Sequence, residues 1–87
     1  MLTKEYLQNV YDYLDEKWTA YCTCPREKNR VERVVQLYSH NMDEELYLIL
    51  NEGRATGLFE HGFFERDMQN SFSKLTELIA QISESEE

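Results

Sequence analysis

Near the end of the chain six apolar residues, Phe64, Met68, Phe72, Leu75, Ile79 and Ile82, recur at spacings of +4, +4, +3, +4 and +3. An α-helix brings residues three and four apart onto one face, so this spacing predicts a helix of about five turns over 63–82. Leu78 broadens the apolar stripe, and no Gly or Pro interrupts it. Such a stripe must be covered, by the rest of the chain or by a second copy. Two or three heptads are short for a coiled coil, which favours cover from within the chain.

A second helix is expected at the start. Thr3 is a suitable N-cap and Glu5 suits the positive end of the helix dipole. Leu7, Val10 and Leu14 follow at helical spacing, and Tyr6, Tyr11 and Trp18 widen their stripe. The opposite face carries Gln8, Asn9, Asp12, Asp15 and Glu16.

Between these helices the signals conflict. Residues 18–24 have strand composition and end at Pro25, which breaks a ladder. Residues 31–38 fit a helix at positions 31, 34, 35 and 38, but their three valines favour a strand. Residues 46–50 form an apolar run of strand length that leads into Asn51-Glu52-Gly53-Arg54, a hairpin-like turn, with 55–60 as the return strand. The expected fold class is therefore α+β: a helix, a three- or four-stranded antiparallel sheet, and a long C-terminal helix. The alternative is all-α. There Pro25 starts a helix that runs to about Ser39, and Asp43 caps another that ends at Gly53. In either case 1–82 is expected to form a single compact domain and 83–87 an acidic, disordered tail.

The 87 residues carry 17 Asp and Glu against nine Lys and Arg, a net charge of −8. With 41% hydrophobic and 13% aromatic residues, the chain is nevertheless not of disordered composition. The charge opposes direct binding to nucleic acid or to an anionic membrane, and it favours a basic protein partner. No run approaches the ~18 apolar residues of a membrane span, and the N-terminus lacks a secretion signal, so a cytoplasmic protein is expected. Positive charge concentrates at Arg26, Lys28, Arg30 and Arg33. Such a basic segment can grip a phosphate or an acidic patch on a partner, or remain a solvated loop with local ion pairs.

No motif supports catalysis, and the chain is read as non-enzymatic with no cofactor. His40 and His61 stand in no recognisable constellation, and three isolated glycines make no phosphate loop. Cys22 and Cys24 are expected to be free thiols. With the two histidines they reach the tetrahedral zinc count, but C-x-C is less typical than C-x2-C and the two His lie in separate predicted turns, so a zinc domain ranks third among the readings.

The acids that concentrate are Asp43, Glu44 and Glu45, Glu52, Glu60, and Glu65 with Asp67. In a meander, 43–45 and 60–67 fall towards one end of the sheet and form a partner-binding acidic face. By size and charge alone the chain resembles small phage or mobile-element inhibitors, such as anti-CRISPR and restriction-mimic proteins, and bacterial immunity proteins. That resemblance implies occlusion of a basic, nucleic-acid-acting partner by a DNA-mimicking surface. The second expectation is an accessory or chaperone-like homodimer that acts through Phe64, Phe72 and Ile79.

Overall fold

The computed structural model describes residues 2–55 and 57–85. Helix α1 spans Lys4–Thr23 and is followed by a 3-10 turn at Pro25–Glu27. Helix α2 spans Lys28–His40, α3 Glu44–Asn51 and α4 Phe64–Ser85. Among the described residues there is no strand. The expected sheet is absent and the fold is all-α, as in the alternative reading.

Each supposed strand fails for its own reason. Residues 18–23 complete α1, because Tyr21 continues the Leu7–Val10–Leu14 stripe into the interior. Pro25 then occupies the first position of the 3-10 turn, where a missing N–H costs nothing. In 31–38 the helical register buries Val31 and Val35. A buried Val contributes about 1.5–3 kcal/mol, more than the few tenths by which a β-branched residue disfavours a helix. In α3, Leu46 and Leu50 are buried while Leu48 is 57% exposed. A strand would have put all three on one face. Glu52 and Gly53, at φ 55° and 72°, end α3 in the left-handed conformation and form no hairpin tip. Within 55–60 residue 56 lies outside the described residues, and the others run as loop and turn.

The long helices match their periodicity. Thr3 Oγ1 caps α1 by accepting from the Tyr6 N–H at 3.1 Å. Helix α1 packs against both α2 and α4. Tyr21 meets Phe64 at 4.8 Å and Tyr11 meets Phe72 at 5.2 Å, so α1 and α4 run antiparallel. Tyr13 stacks on Tyr38 at 3.9 Å, which fixes α1 against the last turns of α2. Helix α3 lies against α4. The core joins Leu7, Val10 and Leu14 to Val35, Leu46, Leu50, Met68 and Leu75. Helix α4 extends to Ser85, so 83–85 of the expected disordered tail are helical; residues 86 and 87 lie outside the described residues.

The connection between α3 and α4 is tied inward at Leu58 and Phe59. Gln36 Nε2 donates to the Phe59 carbonyl at 2.9 Å, and the Leu58 N–H donates to Tyr47 Oη at 3.3 Å. Leu58 and Phe59 are both buried. This loop decides where several of the acidic residues fall.

Candidate functional site

The acidic residues singled out in the sequence do not form one face. Asp43 is the N-cap of α3: its Oδ1 accepts from the N–H groups of Glu45 and Leu46 at 2.9 and 3.3 Å. Its own N–H donates to Tyr6 Oη at 2.8 Å, which anchors the start of α3 beside the start of α1. Glu44 and Glu45 are exposed in the next turn. Glu65 lies near Tyr21, at the other end of α1, where it helps to raise the phenol's pKa. Tyr6 and Tyr21 are separated by roughly 22 Å of helix at a rise of 1.5 Å per residue. The expected juxtaposition of 43–45 with 60–67 is therefore not found.

Besides Asp43, three more of the seven acids serve the fold. Asp67 is 2% exposed. Its Oδ1 pairs with Arg54 Nη1 at 2.9 Å, and its Oδ2 accepts from the Phe59 N–H at 3.0 Å. Burial removes it from any surface that a partner can reach. Glu60 Oε1 accepts from the Gly57 N–H at 3.1 Å and closes a local turn. Glu52 Oε1 accepts from Asn70 Nδ2 at 2.9 Å and meets Lys74 Nζ at 3.3 Å, so the end of α3 is fastened to α4.

The Asn70 hydrogen bond, followed by Lys74, holds the Glu52 carboxyl below the ordinary glutamate pKa. A carboxyl with a lowered folded pKa stabilises the fold above its unfolded pKa, and that contribution fades as pH falls through the folded value. The Tm difference between the wild type and Glu52→Gln is thus expected to be largest near neutral pH and to vanish under strongly acidic conditions. A difference independent of pH would assign Glu52 a purely packing role. The measurement is thermal unfolding of both proteins across the acid range.

Another group of acids stands differently. Glu5, Asp12, Asp15 and Glu16 are exposed on the solvent face of α1. Asp12 accepts from Gln8 Nε2 at 3.0 Å. Among the described residues the ion pairs are Arg30–Glu27, Arg54–Asp67, His61–Glu32 and Lys74–Glu52, and none involves these four. No Lys or Arg stands three or four positions from any of them. Asp12 faces Asp15 and Glu16 at exactly those helical neighbour spacings, where like charges repel. The sequence had placed Asp12, Asp15 and Glu16 on the polar face of α1. The signal in the sequence is that no Lys or Arg stands at a helical neighbour spacing from these acids.

The remaining candidates for chemistry stand apart. His61 Nδ1 lies 2.9 Å from Glu32 Oε2; the histidine side chain is 83% exposed, while the carboxylate side chain is 11% exposed. Tyr21, Gly62, Phe64 and Glu65 complete a small crevice around this pair. Burial, then Glu65 and Glu32, pushes the Tyr21 phenol pKa up. Among the described residues that line the crevice there is no Ser, Thr, Cys or Lys. Cys22 and Cys24 are free and exposed. Among the described residues no three His, Cys, Asp or Glu side chains gather as a metal site, so Cys22, Cys24, His40 and His61 form no common ligand set.

The apolar residues assigned to a dimer face are likewise drawn inward. Phe64 is buried against Tyr21 and Phe59, while Phe72 and Ile79 are half-buried on the core. Among the described residues no helix is long and apolar enough to cross a membrane. No family model, no curated protein sequence and no solved structure matches the chain.

Proposed function

We propose that this protein is a non-enzymatic protein-binding module that docks on a basic partner through the solvent face of α1. The observation that carries this reading is the row Glu5, Asp12, Asp15 and Glu16, exposed and without an ion pair among the described residues. Each like-charge contact along a helix destabilises it by about 0.2–0.5 kcal/mol. A helix that carries such contacts with no ion pair to offset them departs from what folding alone favours, and departures of that kind concentrate where a protein meets its partners. The row spans roughly 16 Å of helix, enough to steer and orient a cationic surface. A nucleic-acid groove on an enzyme is such a surface, and docking there excludes the enzyme's own substrate. The exposed free thiols at Cys22 and Cys24 suit the reducing cytoplasm.

The test is affinity capture from a lysate of the source cells with three baits: the wild type, Asp12→Lys/Asp15→Lys/Glu16→Lys, and Glu44→Lys/Glu45→Lys. The wild type is expected to retain a basic protein that salt releases. The α1 variant should lose that partner by at least about tenfold, equivalent to ~1.4 kcal/mol, with an unchanged or raised Tm. The α3 variant should keep it. Equal retention by all three baits would refute docking through α1.

A further inference from the structure

Two cations, Lys17 and Arg30, flank a groove between the last turns of α1 and the start of α2. Its floor is Ala20, Val31 and Val34, and Lys17 and Arg30 stand at its edges. Cys24, a free and exposed cysteine, also lines it. Among the described residues Glu27 is the one acid that lines it, in a 3.7 Å contact with Arg30 in which both side chains are well exposed. A contact of this length and exposure contributes little and yields readily to a competing carboxylate. The other local acid, Glu32, is directed to His61. Every residue from Cys22 to Arg30 is exposed, including Arg26 and Lys28. The Lys28 ammonium is held 5.0 Å above the Tyr21 ring and the Lys17 ammonium 5.3 Å above the Tyr13 ring. Of the two, Lys17 lines the groove, and its contact restrains that cation and lowers the entropy lost when it binds an anion.

We infer that this groove binds an acidic segment of a protein partner, with an aliphatic side chain seated on Ala20, Val31 and Val34 and flanking carboxylates on Lys17 and Arg30. Charge complementarity selects the occupant: this is the cationic corner of a molecule whose net charge is −8. The apolar floor favours a peptide over a nucleic acid, whose phosphate backbone has nothing to place there and whose remaining charge the rest of the molecule repels. This surface is independent of the α1 row, so one can fail while the other stands.

The test pans a random peptide display library on the full chain. Peptides in which Asp or Glu flank Leu, Ile or Val should be enriched. In a Cys22→Ser background, an enriched peptide should slow maleimide alkylation of Cys24 by at least about tenfold, the protection expected when the site is more than nine-tenths occupied. Lys17→Gln/Arg30→Gln, which introduces no like charge beside Glu27 and should keep a cooperative melt, abolishes capture, as does Val34→Glu. The α1 charge-reversal variant retains it. Absence of acidic–aliphatic enrichment, or capture that survives both groove variants, would overturn the proposal. Stronger protection of Cys24 by a short single-stranded oligonucleotide than by any peptide would overturn it in favour of a nucleic-acid ligand.

Discussion

Asp67→Ala is expected to cost about 3–5 kcal/mol of folding stability, the range for removing one partner from a buried ion pair. Its carboxylate is the counter-charge of Arg54 and the acceptor for the Phe59 N–H, so one substitution leaves a guanidinium and a buried amide unsatisfied. The Arg54 side chain retains 24% exposure, and partial hydration places the loss towards the lower end of that range. A chain of this length has roughly 4–13 kcal/mol in total, so the variant should be near its folding threshold at 25 °C. Arg54 also donates from Nε to the Asn51 carbonyl at 3.1 Å, and Asn51 Nδ2 returns a bond to the Arg54 carbonyl at 3.2 Å. The end of α3, the loop and the first turn of α4 thus share one polar junction. The double substitution Arg54→Met/Asp67→Leu should recover most of the loss, because an apolar pair of similar volume is often close to neutral in place of a buried salt bridge. Urea unfolding followed by far-UV circular dichroism measures all three proteins. A loss below ~1 kcal/mol for Asp67→Ala would mean that the pair behaves as a solvent-screened surface contact.

This junction marks the boundary of what the sequence discloses. The outer helices were readable because Leu7–Val10–Leu14 and Phe64 to Ile82 repeat over several turns, long enough for period 3.6 to separate from period 2. The middle helices are short, and in eight residues Leu46-Tyr47-Leu48-Ile49-Leu50 satisfies both periods until burial separates Leu48 from its neighbours. Three valines tilted 31–38 towards strand, yet burial against α1 overrode that local preference. The all-α alternative nonetheless anticipated Asp43 as a cap and Pro25 as a helix opener. For the candidate site the limit is different. Asp67 and Glu65 read alike as acids in the first turn of α4, and both positions suit the helix dipole. Only the path of residues 52–63, which places Arg54 and the Phe59 amide over Asp67, makes one interior and leaves the other at the surface. Nothing within three or four residues of Asp67 encodes that difference.

Phe59 supplies the second large effect and a sharper diagnostic. It is fully buried, packs on Phe64 with ring centroids 6.1 Å apart, and holds φ at 64°, a left-handed conformation. A side chain other than glycine costs roughly 1–2 kcal/mol there. The ring's burial and two backbone hydrogen bonds, from its N–H to Asp67 and to its carbonyl from Gln36, hold the residue in place. Phe59→Ala should therefore lose about 3–5 kcal/mol, the range for a large core truncation, while the unfavourable φ remains. Phe59→Gly loses the same ring but relieves the backbone. At an ordinary position glycine is less stable than alanine by roughly 0.5–1 kcal/mol; at position 59 the order should disappear or invert. Denaturant titration of both variants decides the matter. If Phe59→Gly falls below Phe59→Ala by the ordinary margin, the backbone at 59 carries no strain and ring burial alone accounts for the position. If the two coincide or invert, the loop is held against its own backbone preference by the buried ring and by the Asp67 and Gln36 hydrogen bonds.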